Sequence, residues 1–169
     1  MKIDYLKLYT KVYKNERLCR TLSVVSTVAV ASSVAAVVLS LSLLLVGEGI
    51  ASAIRLAAIL FIPFLLVSLV RRAVNFSRPV EVFDLDGLGI NTEGFKRGCS
   101  FPSRHVFSGF LIGSALLPTV PTLGALVLLL SSALGVARVL LGIHFLRDVV
   151  AGALLGILSA LLGLVIIGL

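Results

Sequence analysis

The chain has 169 residues, 59% hydrophobic and 14% charged, with a mean hydropathy of +1.13 and a formal net charge of +7. So few charges cannot cover a soluble domain of this size, which leaves a polytopic membrane protein. The positive residues sit at the edges of apolar runs, so membrane orientation and lipid phosphates explain them better than nucleic acid does.

Residues 2 to 18, KIDYLKLYTKVYKNERL, place Ile3, Leu6, Tyr9, Val12 and Tyr13 at helical spacing between lysines. This stretch is too charged to span, so an amphipathic helix lying on the membrane surface is expected over about 1–20. No convincing small-residue site follows it, so it is not expected to be a cleaved leader. Residues 21 to 47 carry no charge and predict a first crossing over about 22–46. Gly47-Glu48-Gly49 predicts a tight turn, and a second crossing follows over about 50–71, with Pro63 inside it.

Residues 72 to 103 form the one long polar segment, a loop of the length that carries function. The uncharged run from Val106 to Ala137 is broken by Pro118-Thr-Val-Pro121, which predicts helices over about 104–117 and 122–141. Gly142 marks the break before a last helix over about 144–168. The expectation is an all-α, polytopic helical bundle of about five crossings plus the interfacial helix, forming one domain over 1–169. Cys19 and Cys99 read as unpaired thiols, too few and too far apart for a disulfide framework or a metal knuckle.

With that topology, three polar clusters fall on one side of the membrane. The first is RRAVNFSRP, residues 71 to 79. Arg71 and Arg78 are seven apart, on one face if the helix persists that far. Alone, such arginines simply end a membrane helix. The second is Pro102-Ser103-Arg104-His105, where Ser103 suits the N-cap of the next helix and the free amides suit an anion. Alone it is equally well a cap beside an unrelated histidine. The third is RVLLGIHFLRD, residues 138 to 148. His144 and Asp148 are spaced i, i+4, so that on a helix the carboxylate fixes the imidazole tautomer. A purely structural pair is the alternative.

Taken together, three arginines, a hydroxyl and helix-end amides suit the charge of a transferring phosphoryl group, with one histidine to attack and one to protonate. The clusters resemble the signature of the type 2 phosphatidic acid phosphatases, whose site is shared with vanadium haloperoxidases. The family pattern K-x6-RP, PSGH, SR-x5-H-x3-D reads here Arg71-x6-Arg78-Pro79, Pro102-Ser103-Arg104-His105 and Ala137-Arg138-x5-His144-x3-Asp148. The resemblance implies that His144 is the nucleophile, oriented by Asp148, that His105 is the general acid, and that Arg71, Arg78, Ser103 and Arg138 hold phosphate without a metal or other cofactor.

Three positions depart from the pattern. Arg71 stands for lysine, Arg104 for glycine and Ala137 for serine. Arg104 is expected to meet a second phosphate or a lipid headgroup. VFDLDG, residues 82 to 87, looks like the D-x-D-G loop of another phosphatase class, but the strand that loop needs cannot be built here, so Asp84 and Asp86 are read as loop residues.

The expected activity is removal of phosphate from a membrane lipid, with a polyprenyl phosphate or diphosphate preferred over phosphatidylglycerophosphate, phosphatidate or lipid A. A catalytically silent lipid-binding scaffold is the alternative, and a haloperoxidase a remote one. The expected partners are the lipid substrate and the bilayer, with no nucleic acid. Nothing in the sequence sets an oligomeric state. Lys2, Lys7, Lys11, Lys14, Arg17 and Arg20 favour a cytoplasmic N-terminus in a cell membrane, with the site on the same side.

Overall fold

The computed structural model describes residues 4–83, 85 and 97–168. Asp84, Asp86 and Lys96 of the polar segment lie outside the described residues, as does Lys2. Among the described residues every regular element is a helix: α1 (Tyr5–Tyr13), α2 (Glu16–Gly47), α3 (Ile50–Val74), the single turn α4 (Pro79–Val82), α5 (Arg104–Leu116), α6 (Pro121–Leu140) and α7 (Leu146–Ile167).

The N-terminal helix is shorter than expected. The Asn15 side chain accepts from Leu18 N at 3.1 Å and caps a new helix, so α1 ends at Tyr13 and α2 starts at Glu16, six residues before the expected crossing. The α1 face that carries Tyr9 and Val12 is buried against protein. Gly49, at φ +90, turns the chain into α3. Asn75, in the left-handed conformation at φ 44, then ends α3.

The helices α2, α3, α6 and α7 are each long and apolar enough to cross a membrane. Their outward faces carry exposed residues such as Val34, Val38, Phe61, Leu65, Leu129, Val136, Leu158 and Val165. The third expected crossing, α5, has 13 residues, about 20 Å at about 1.5 Å per residue, which is shorter than a hydrocarbon core. It runs down the centre of the bundle, touching α2, α3, α6 and α7. Val106, Phe107, Leu111, Ala115 and Leu116 of α5 are buried. Among them, Phe107, Leu111, Ala115 and Leu116 pack with Leu56 and Ile59 of α3, Val127 of α6 and Ala160 of α7.

Small residues let α5 and α7 meet backbone to backbone. Gly152, Gly156 and Ala160 recur every fourth residue along α7, all buried. A Cβ added at Gly152 would sit 2.6 Å from Ser103 O, and one at Gly156 would sit 2.6 Å from Phe107 O. This contact sets the axial register of the two helix starts, where the second and third motifs lie. Gly156→Leu should therefore cost about 1–3 kcal/mol by overpacking and lower the unfolding temperature in detergent. Leu154→Ala, on an exposed position, should leave that temperature nearly unchanged.

Candidate active site

The expected shared helix face of Arg71 and Arg78 does not exist. Asn75 ends α3 between them, and Arg78 is the N-cap of α4. A stitched loop brings the two together. Asn75 Oδ1 accepts from Cys99 N at 3.0 Å, and Phe76 O accepts from Ser100 N at 2.7 Å. Glu81 Oε2 accepts from both Arg78 N (2.7 Å) and Gly98 N (2.8 Å). These bonds lay residues 98–100 along residues 75–78.

Both guanidinium groups are held by carbonyls. Arg71 donates through Nη1 to Pro102 O and through Nη2 to Cys99 O. Arg78 donates through Nε to Gly98 O at 3.0 Å and through Nη1 to Ile143 O at 3.3 Å. Both residues are buried. Carbonyls orient a guanidinium without cancelling its charge, as a site for an anion requires.

Ser103 occupies the N-cap position of α5, as expected, but its hydroxyl makes no capping bond. Its amide donates instead to Asp148 O at 2.9 Å. Among the described residues, Ser103 Oγ is buried without a hydrogen-bond partner, and so is Arg138 Nε on the last turn of α6. With the cap hydroxyl disengaged, the first amides of α5 are left free to face an anion.

The His144–Asp148 pair is not an i, i+4 pair on a helix. α7 begins at Leu146 with Phe145 as its N-cap, so His144 lies in the preceding turn and Asp148 in the first turn of the helix. There Asp148 Oδ2 accepts from Phe145 N at 3.0 Å. His144 Nδ1 lies 3.7 Å from Asp148 Oδ2, beyond hydrogen-bond length. Ser100 bridges the gap. Its hydroxyl donates to Asp148 Oδ2 at 2.6 Å and lies 3.3 Å from His144 Nδ1. Because the only Ser100 proton points at the carboxylate, its oxygen must accept from Nδ1–H. Nε2 is then the unprotonated nitrogen, with a lone pair for attack. Ser100 lies outside the three motifs; its only sequence signal is a hydroxyl two residues before Pro102.

His144 is 1% exposed and Asp148 0%. Burial pushes the His144 imidazole below its ordinary value of 6.5, while Asp148 opposes that shift. The residue is therefore neutral at pH 7. Arg71 and Arg78 lie within electrostatic reach of His144, and Arg71, Arg104, Arg138 and His144 within reach of His105. The sequence-derived residues thus converge on one end of the bundle. Arg104 is the one that turns aside: its guanidinium lies 5.6 Å from the Phe64 ring centroid. With His105 it lines the mouth of an apolar groove of about 530 Å³ walled by α2, α3 and α5, including Val34, Leu60, Phe61 and Ile112. Among the described residues, no three His, Cys, Asp or Glu side chains cluster as metal ligands would.

The chain has known relatives. Residues 52–168 match the PAP2 superfamily, and the chain belongs to it. Over 62 residues it is 47% identical to the bacitracin transport permease protein BcrC of Bacillus licheniformis, a match spanning 37% of this chain and 30% of that protein. The crystal structure of Aquifex aeolicus LpxE superposes with a TM-score of 0.65 at 21% identity, covering 94% of this chain and 93% of that one. The LpxE likeness establishes the shared fold.

With only two histidines in the chain, histidine-selective ¹⁵N NMR in detergent should resolve both. His144 should appear as the single Nδ1–H tautomer and titrate below 6.5. Ser100→Ala removes the acceptor for Nδ1–H and should give a mixture of tautomers.

Proposed function

We propose that the chain is an integral-membrane lipid phosphate phosphatase acting through a phosphohistidine, with a polyprenyl diphosphate or monophosphate carrier lipid as the preferred substrate. The observation that carries this reading is a buried neutral imidazole with a free Nε2, set among arginines whose charge is not cancelled. Superfamily membership supports it independently.

His144 Nε2 attacks phosphorus. An N–P bond forms as the bond from phosphorus to the lipid oxygen breaks, and His105 gives that oxygen its proton. Water then attacks the phosphohistidine, His105 takes a proton from the water, and free phosphate leaves. Arg71, Arg78 and Arg138, the Ser103 hydroxyl and the α5 amides stabilise the equatorial oxygens. The partnerless Ser103 Oγ and Arg138 Nε suit this task. Burial first, and then the surrounding arginines, make His105 a poor cation, and an anionic phosphate that neutralises those arginines favours its protonated, acid form.

The groove beside His105 suits an isoprenoid or acyl chain. Arg104 at its mouth adds a cation beyond those that hold one phosphate, which favours a diphosphate. A cytoplasmic site is supported by the basic N-terminus: α1, with exposed Lys7, Lys11 and Lys14, packs at the same end of the bundle as the 141–146 loop.

Phosphate release in micelles with a chelator tests the chemistry, across undecaprenyl diphosphate, phosphatidylglycerophosphate, phosphatidate and lipid A. Wild type should release phosphate, and His144→Ala should lose activity by about 10⁴-fold or more, as nucleophile removal does. Rapid quench into base should trap a labelled, acid-labile phosphohistidine. Arg104→Gly should lower the rate on diphosphates relative to monophosphates; an unchanged ranking removes Arg104 from the assignment. For sidedness, Lys14→Cys in a background lacking Cys19 and Cys99 should resist impermeant thiol reagents in intact cells. Labelling would place the site outside.

A further inference from the structure

The nucleophile sits on a five-residue turn, Leu141-Gly-Ile-His-Phe145, between α6 and α7. Ile143 N and His144 N donate to Arg138 O at 3.0 and 3.2 Å, Arg78 Nη1 donates to Ile143 O at 3.3 Å and Phe145 N to Asp148 Oδ2 at 3.0 Å. A further support comes from the far end of the sequence. Tyr5, Tyr9 and Tyr13 recur every fourth residue and so share one face of α1. Tyr13 donates its hydroxyl to Leu141 O at 3.0 Å, a contact 128 residues away in the chain. Leu146 N, one of the free amides at the start of α7, donates to Tyr5 Oη at 3.4 Å. The Tyr5 ring packs edge-on against Phe145 with centroids 5.4 Å apart.

Between them, the Tyr9 ring lies under Gly142, 3.5 Å from where a Cβ would stand. Gly142 has φ +67, a conformation that favours glycine, so ring and turn fit each other closely. Tyr9 is fully buried, with Val80 and Leu85, and its ring meets Phe83 edge-on. The three tyrosines therefore touch the turn on both sides of His144 and beneath it. A helix whose only task was to lie in the interface would turn these large side chains toward lipid.

We infer that α1 is a brace for the catalytic turn, and that Tyr5, Tyr9 and Tyr13 are positioning residues which fix where His144 Nε2 stands relative to phosphorus. This deepens the phosphatase reading and rests on it for its kinetic consequence. Burial pushes the Tyr13 phenol up to about 12, so it stays a donor through the working pH range. The brace also ties the N-terminus to the chemistry. The face of α1 opposite the tyrosines, with Lys7, Lys11 and Lys14, is exposed at the membrane boundary.

The test uses the full chain carrying Tyr5→Phe/Tyr13→Phe, with Tyr9→Leu as a second variant and Thr10→Ala, on the exposed face, as control. The double variant keeps both rings and loses two hydroxyls, so the fold should survive and thermal unfolding should shift little. Its kcat should fall about tenfold with KM unchanged, as misplacement of a reacting group does. The His144 ¹⁵N signals should shift or broaden while those of His105 stay, and Tyr9→Leu should act in the same direction. Thr10→Ala should leave all of these as in wild type.

Wild-type kcat together with an unchanged His144 spectrum in the double variant would overturn the brace. A loss of activity that merely follows a lowered unfolding temperature, with His144 unmoved, would overturn it too. If wild type releases no phosphate from any lipid, the phosphatase reading fails by itself, and the His144 spectra alone still decide whether α1 holds the turn.

Discussion

The hydrogen bond from the Ser103 amide to the Asp148 carbonyl joins the start of α5 to the start of α7, and the site depends on that junction. It forms because Gly152 and Gly156 let the two backbones approach closer than any side chain would permit. Fixing this register puts Ser100 next to Asp148, and hence next to His144. It also sets the free amides of α5 beside the turn that carries His144. A shift of one residue along α7 would separate these groups even if every side chain were kept.

Charge is handled with similar economy. Arg71 and Arg78 are buried at the end of an apolar bundle, where an unmatched cation is costly. Four backbone carbonyls receive them, supplied by Gly98, Cys99, Pro102 and Ile143. The acidic groups are kept for other tasks. Glu81 ties two backbone amides, and Asp148 holds Ser100 and Phe145. The arginines are thereby fixed in direction while most of their positive field is retained for an anion.

Much of this was legible in the sequence because spacing reports chemistry even where it misreports shape. Helical spacing pairs Arg71 with Arg78 and His144 with Asp148; the structure sets each pair close together, yet neither lies on one helix face. Asn75 ends α3 between the first two, and Phe145 caps α7 between the second two. The first break is tied down by a tertiary bond, from Cys99 N to Asn75 Oδ1, whereas the second is a local cap in which Asp148 holds Phe145 N. The supporting residues were hidden for a related reason. Ser100, Glu81 and Asn75 act through partners 17 to 48 residues away, and isolated polar residues in a loop carry no periodic signal. The N-terminal helix was found by its amphipathic pattern, but that pattern cannot say whether its apolar face meets lipid or protein. The short α5 was anticipated from Pro118 and Pro121, although its central place in the bundle was not.

The apolar groove beside Arg104 and His105 reaches the lipid-facing surface, since Val34 and Phe61 on its wall also belong to the exposed belt of α2 and α3. A ligand that keeps its tail in the bilayer would then reach the site by diffusing in two dimensions. The quantity that governs occupancy would be its mole fraction among the surrounding lipids, and bulk concentration would have little meaning. Diluting the membrane with inert lipid at a constant amount of substrate would slow such a protein, whereas adding more water would not.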